Sequence, residues 1–462
     1  MLKDINISNP IIPFFSWRIV LHIITQSPEA KVNSLRVIII YCCLITIFFD
    51  GCKKTDIQGP DPEVEISLPY NNQTFNVFDT VFIIAKIKHV QEINKISLTI
   101  NGKDLKPVVS GKTLDINQTS YHLSTFLIID NKYIEGNLNY LLIKIEDNNA
   151  VYNFWQPISI NPLNKELEKI LIVTGMLNEN TLFKANISGD IEKIASWTSE
   201  YIGGYGDSKN RMFYTSGELV DGIRGYDLDE IDLLWMIPPE TYSSIPYFNA
   251  FSGSEGRVTV STSEGIIESY NHLGLKILSS NKVINGIFTN ILDHDNFVIG
   301  IFKPYVGNQN SLIIFNNPAG SIYASLQFQG NVIDLLKIDK NSIMLIINET
   351  GNVKSYLYNY ALNQLQPLHE ITTNEVFNIS GDAENIFFAT NNGILWYRPS
   401  IGSIVEYLQM DDIRTLAFDN NSNLLYFSRG SSLLVSGLPF KSVLDSTEFT
   451  SPIKDIELIY NK

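Results

Sequence analysis

From Ile170 to the C-terminus the chain repeats one unit: an apolar quartet, a polar turn, a second strand and turn, a third strand, and a fourth apolar stretch leading to the next quartet. The quartets are ILIV at Ile170, MFYT at Met212, VTVS at Val258, FVIG at Phe297, IMLI at Ile343, IFFA at Ile386 and LLYF at Leu424, spaced by 42, 46, 39, 46, 43 and 38 residues. Each is followed by a second strand (TLFKANI, GIRGYDL, IIESYNH, SLIIFNN, SYLYNYA, ILWYRPS, SLLVSGL) and then a third, such as EIDLLWM or SIVEYLQM. Four short strands per repeat of this length cannot bury their faces alone, so neighbouring units must stack into a closed radial array. The ends support closure. The quartet at Ile170 has no complete strand ahead of it, whereas the chain finishes on a surplus one, IKDIELIY from Ile453 to Tyr460. Joining the two completes one unit and removes the open edges that invite aggregation.

The segment Leu416-Ala417-Phe418-Asp419-Asn420-Asn421-Ser422-Asn423-Leu424-Leu425-Tyr426-Phe427 resembles the strand-turn-strand of NHL and YWTD-type blades. That resemblance implies a divergent member of the NHL/YWTD/WD40-like β-propeller superfamily over residues 165–462, with seven blades expected and six or eight the alternatives. The Trp-Asp dipeptides of WD40 blades are absent, Gly203-Gly204 is the sole Gly pair of the kind kelch blades repeat, and only Trp197, Trp235 and Trp396 lie in the region. The fold is therefore carried over and no functional residue is.

A second feature bears on location. Val37–Phe49 is a 13-residue apolar run, VIIIYCCLITIFF, preceded by Arg36 and followed by Gly51-Cys52-Lys53-Lys54. It is shorter than the ~20 residues a bilayer-spanning helix needs and has the length of a signal-peptide core. Phe49-Asp50-Gly51-Cys52 resembles the lipobox of Bacteroidota-type bacterial lipoproteins, although Phe49 and Asp50 stand where Leu and a small residue are usual. The resemblance implies that Cys52 is lipidated and becomes the mature N-terminus; an ordinary cleaved signal or an uncleaved anchor is the alternative. Residues 1–51 then form the export segment, and 1–34 are explained by a start codon placed too far upstream or by a long cytoplasmic lead. The expected location is the outer membrane or cell surface of a Gram-negative bacterium.

All three cysteines, Cys42, Cys43 and Cys52, fall in this segment, which excludes disulfides and thiolate metal sites downstream. The formal net charge is −15, and outside residues 1–51 there are 30 basic against 46 acidic side chains. Such a surface repels nucleic acid and anionic lipid, so the lipid on Cys52 would hold the protein at the membrane.

Residues 52–63 read as a polar, proline-containing tether. Residues 64–160 carry strands at sandwich spacing, among them VEISL, TVFIIAKIK, KISLTING and YLLIKIED. Glu65-Ile66-Ser67-Leu68-Pro69, Asp79 before a strand and Tyr140-Leu141-Leu142-Ile143-Lys144-Ile145-Glu146-Asp147 resemble the bacterial Ig-like domains that follow lipoprotein cysteines. The expected fold is thus all-β: an Ig-like β-sandwich at 64–160, then a seven-bladed β-propeller at 165–462 closed by the C-terminal strand.

Candidate chemistry is sparse. Asp207, Glu255, Asp293 with Asp295, Asp339, Asp382 and Asp419 recur at one place in the repeat, as turn-forming Asx residues would. A catalytic set should break that symmetry. Asp293-His294-Asp295 flanks a histidine with carboxylates, and Asp227-Leu228-Asp229-Glu230-Ile231-Asp232 is densely acidic but lacks the spacing of a calcium loop. Both read as solvated turns. No G-x-S-x-G, H-E-x-x-H or P-loop occurs. Tyr201, Tyr205, Tyr242 and Tyr247 lie among Gly, Ser or Pro, where a ring can sit at a channel mouth, and Asp79-Thr80-Val81 and Asp445-Ser446-Thr447 resemble the short O-glycosylation motif of Bacteroidota. No catalytic, cofactor-binding or metal-ligating residue is assigned. The expected function is a membrane-anchored binding or scaffolding module for a protein or glycan, with a propeller hydrolase or lyase holding a divalent cation in its channel as the alternative.

Overall fold

The computed structural model describes residues 60–186, 189–217, 222–240, 246–294, 296–372 and 375–462. The export segment, Cys52, most of the tether, Tyr242 and Asp295 lie outside them. The chain divides into two compact units, one ending at Pro162 and one beginning at Leu163.

The first unit is a connected six-stranded sheet built on one long strand, Thr80–Asn101. The expected strands TVFIIAKIK and KISLTING are thus one element of 22 residues. Its first half pairs with Glu63–Leu68, its second half with Leu138–Asp147, and Lys112–Ile128 runs along both. Alternation explains how both halves stay buried on one side: Val81, Ile83, Ala85, Ile87 and Ile93 are fully buried at odd positions, then Ile96, Leu98 and Ile100 at even ones. The register shifts between Ile93 and Lys95, and that irregularity switches the parity so that Ile96, Leu98 and Ile100 stay on the buried side. At this bend His89 and Asp147, both buried, are joined by a 2.8 Å Nε2···Oδ2 hydrogen bond.

The second unit holds seven four-stranded antiparallel sheets among the described residues. Sheets 2 to 7 run in chain order through Tyr201–Ile237, Phe248–Ser279, Gly286–Gln329, Asn331–Thr372, Val376–Gln409 and Ile413–Glu448. Sheet 1 combines Leu167–Met176, Glu179–Asn186 and Ile191–Thr198 with the C-terminal strand Ile453–Tyr460, which pairs antiparallel with Leu167–Met176. The apolar quartets occupy the second strand of every sheet. Met212–Gly217 and Ile386–Thr390 are buried along their whole length, because each sheet is covered on both faces by its neighbours, and this is why these strands read as continuous apolar runs. Third and fourth strands lie progressively further out, and the fourth, such as Val443–Glu448, is largely exposed.

The first strands form the inner ring. Each lies against the first strands of the preceding and following sheets, and the cycle closes where Ile453–Tyr460 meets both Ile413–Asp419 and Tyr201–Asp207. A radial cycle of four-stranded antiparallel sheets of this kind is a β-propeller. Apolar side chains fill the gaps between sheets: Ile172 and Ile456 pack with Ala417 and Tyr426 between sheets 7 and 1, while Leu171 and Ile459 pack with Phe213 between sheets 1 and 2.

Removal of residues 451–462 takes away Ile453, Ile456 and Ile459, which are 3%, 3% and 0% exposed. At ~1.5 to 3 kcal/mol for each, the loss is about 5 to 9 kcal/mol as an upper bound, comparable with the stability of a domain. Calorimetry of the truncated protein should show the melting transition of the second unit lost and that of the first unit kept. Melting of the second unit at its full-length temperature would refute the structural role of this strand.

Candidate functional site

Polar side chains stitch the seams between sheets, and nearly every acid singled out by the repeat is used there or in a turn. Asp207 ends the first strand of sheet 2, where its carboxylate accepts from the backbone N–H groups of Lys209 and Asn210, from the Tyr214 hydroxyl at 2.9 Å, and across the seam from Gly256 N–H at 2.8 Å. Asp293 joins sheets 3 and 4: it is ion-paired with Arg257 and accepts from Ser254 Oγ at 3.0 Å and Thr259 Oγ1 at 3.1 Å. His294 is buried and its Nε2 lies 2.8 Å from the Asp339 carbonyl oxygen, linking sheets 4 and 5. Asp339, Asp382 and Asp227 receive backbone N–H groups within their own turns, as Asx residues do. Asp419 accepts from Asn421 N–H and, across the closing seam, from the Tyr460 hydroxyl at 3.2 Å. Glu255 is paired with Lys209 at 3.4 Å, and Asp229 with Arg211 and Lys169.

The recurrent acids are therefore distributed around the ring and do not converge. Asp79 and Asp445, from the short glycosylation-type motifs, bond the backbone N–H groups of Asn76 and Ser446. Tyr247, expected near a channel mouth, is instead 4% exposed and packs edge-on to Phe248, because the chain turns it into the gap between sheets 2 and 3.

A different set of groups gathers on the axis. First strands of sheets 1, 2, 6 and 7 enclose a cavity of about 330 Å³, lined by Tyr205, Ser208, Ser380, Asp455, Glu457 and Tyr460, among others, with Lys165 beside it. Asp455 and Glu457 alternate on the C-terminal strand and so share one face, turned towards the glycine-rich strand Tyr201-Ile202-Gly203-Gly204-Tyr205-Gly206 of sheet 2. The Tyr201 hydroxyl donates to Asp455 Oδ2 at 2.5 Å, and Gly206 N–H donates to Glu457 Oε2 at 3.3 Å. Glycine is required for this approach: a Cβ on Gly206 would stand 2.6 Å from Ile459 Cδ1, and one on Gly253 of the next inner strand would stand 1.9 Å from Tyr205 Cγ.

Neither Asp455 nor Glu457 has a basic partner at ion-pair distance among the described residues; Lys165 lies over the Tyr460 ring, 4.2 Å from its centroid. Burial raises the Asp455 carboxyl above its ordinary range despite the Tyr201 bond, and burial followed by repulsion from Asp455 raises Glu457 further. The two carboxyls share a confined space in which ionising both is costly. On the first strand of sheet 5, burial likewise pushes Asp334 up to about 7, although it accepts the Leu335 N–H at 2.7 Å. Among the described residues no three His, Cys, Asp or Glu side chains group as metal ligands.

Residue spacing in IKDIELIY places Asp455 and Glu457 on one face, but what they meet across the seam depends on a strand some 250 positions earlier in the chain.

No protein-family model matches this chain, and no curated protein matches it. Similar solved structures include the computationally designed Ika8 protein, 16% identical over 63% of this chain and 91% of that one, with a TM-score of 0.45. A quinoprotein alcohol dehydrogenase-like protein from Bacteroides thetaiotaomicron is 12% identical over 87% of this chain and 99% of that one, with a TM-score of 0.43. A chain of a nidogen/laminin complex is 9% identical over 64% and 99%, with a TM-score of 0.42. These three TM-scores are all below 0.5, and the propeller is defined by the strand pairings described above.

A carboxyl whose folded pKa lies above its unfolded value near 4 contributes stability that is complete in acid and lost as pH rises through the folded pKa. Asp334→Asn should therefore stabilise the protein at pH 8, by up to about 4 kcal/mol, with the gain shrinking as pH falls below 7 and nearly gone by pH 4. Glu457→Gln should show a gain of the same sign. Thermal melts of each variant against the unsubstituted protein from pH 4 to 9 decide this, and a gain independent of pH would contradict the assignment.

Proposed function

We propose that this protein is a lipid-anchored, exported binding or scaffolding module. In this reading Cys52 carries the lipid, residues 53–63 space the body from the membrane, an Ig-like domain forms a stalk, and a seven-bladed propeller engages a protein or glycan partner at the outer membrane or cell surface. The observation that carries the binding reading is the commitment of the recurrent acids: Asp207, Asp293, Asp339, Asp382 and Asp419 are bonded in turns and seams, where a cation-dependent hydrolase would need such carboxylates aimed together at one channel point. The engagement of Tyr201 by Asp455 and the burial of Tyr247 leave less aromatic platform for a sugar, which favours a protein partner.

One observation favours the second reading. Asp455 and Glu457 do face the channel cavity, and such a pair could contribute two ligands to a divalent cation in a hydrolase or lyase. Their raised pKa values oppose this, since protonated carboxyls bind cations poorly.

Two experiments test the proposal. Cys52→Ala should move the full-length protein from the detergent to the aqueous phase and block signal cleavage; unchanged partitioning would remove the lipid anchor. Elemental analysis after purification without chelator should find no stoichiometric metal, whereas bound Ca²⁺ or Zn²⁺ lost on Asp455→Asn with Glu457→Gln would replace the binding reading with the hydrolase.

A further inference from the structure

Most outer strands of the propeller carry charges among their exposed apolar residues, as Glu192 and Lys193 do in Ile191–Thr198 and Asp445 and Glu448 in Val443–Glu448. Charges of this kind guard a sheet edge against pairing with another chain. The outer strand of sheet 2, Leu233–Ile237, has the sequence LLWMI and contains none. It pairs with Ile223–Asp227 on one side, and no described strand covers its other edge. Leu233, Leu234 and Met236 are 47%, 51% and 48% exposed. On sheet 3, Leu273, Leu275 and Ile277 are 61%, 60% and 40% exposed. Trp235 ties the strand to sheet 3: its Nε1–H donates to the His272 carbonyl at 2.9 Å, and its ring lies against Gly274, where a Cβ would come within 2.9 Å of it.

The charges around this patch decide what could cover it. Exposed Glu230 and Asp232 precede the strand and exposed Glu240 follows it, while Lys276 is already paired with Glu268 at 2.6 Å and Glu240 at 3.7 Å. Antiparallel pairing of the strand with a second copy about Trp235 would set Glu230 opposite Glu240, twice, between molecules that each carry a formal charge of −15. Like charges there oppose self-association.

We propose that Leu233–Ile237 is a strand-addition site for an extended apolar segment of a partner protein with basic residues at its ends. The partner's backbone pairs with the open edge, its apolar side chains cover Leu234 and Met236, and its cations meet Glu230, Asp232 and Glu240. This deepens the binding reading by naming the mode and the chemistry of the partner.

The test is calorimetric titration of the full-length protein with a short peptide of alternating valine and threonine carrying lysines at both ends. Saturable binding is expected, weakened roughly tenfold or more in a peptide N-methylated at alternate amides, in one with glutamates at its ends, and by Leu234→Lys, whose exposed position leaves the melting temperature unchanged. Absence of saturable binding, equal binding of the N-methylated peptide, or concentration-dependent dimers abolished by Leu234→Lys would overturn the proposal. Capture of native membrane partners that is insensitive to Leu234→Lys would also overturn this surface while leaving the binding reading intact.

Discussion

The pairing of Ile453–Tyr460 with Leu167–Met176 is the contact on which the second unit depends. A radial stack of sheets that failed to close would expose one apolar sheet face at each end, here the surfaces carrying Ile172 and Tyr426, and among the described residues no α-helix is present to cover them. Closure by backbone hydrogen bonds between the two ends of the repeat region makes the ring a single cooperative object, in contrast to open repeat arrays, where each repeat touches only its neighbours. The same strand carries Asp455 and Glu457, so the element that closes the ring also supplies the most unusual groups on its axis.

Seams use two kinds of interaction in different places. The sheets interlock through large side chains, such as Phe387 against Phe418 with ring centroids 5.0 Å apart. Nearer the inner strands they are stitched by hydrogen bonds: Asn378 Oδ1 accepts from Leu416 N–H, Ser380 Oγ from Phe418 N–H, and Asp207 from Gly256 N–H. Polar stitching fits the geometry, since N–H groups of the inner strands that lack a ladder partner require acceptors. This explains why carboxylates recur at one place in the repeat without forming a catalytic set. Asp293 shows the balance within one group: burial raises its pKa, and Arg257, Ser254 and Thr259 offset part of that rise.

The outer and inner faces of the propeller thus differ in what they leave unsatisfied. Inside, Asp455 and Glu457 are crowded with no basic partner at ion-pair distance among the described residues, which ties stability to proton concentration. Outside, Leu233–Ile237 keeps a backbone edge and apolar side chains open to water, a state that aqueous solution disfavours and a strand-forming partner would relieve.

Sequence alone determined the strand order within the repeat, because second strands buried on both faces must be apolar throughout and therefore stand out as ILIV, IMLI or IFFA. It also marked the C-terminal strand as surplus, since the first repeat lacks one. In the first unit it located the strands but divided Thr80–Asn101, as local alternation cannot show that a parity switch at Ile93 is a bulge inside one strand and not a turn between two. Tertiary structure alone decided which acids are structural and which face the channel: Asp207 and Asp455 look alike in sequence, and the difference lies in the distant partners, Gly256 for one and Tyr201 for the other. It likewise decided that Tyr247 is core and that Leu233–Ile237 is an exposed edge, although LLWMI has the composition of a buried strand. Burial of such a segment is set by which neighbours the ring brings to it, and that information is spread over hundreds of residues.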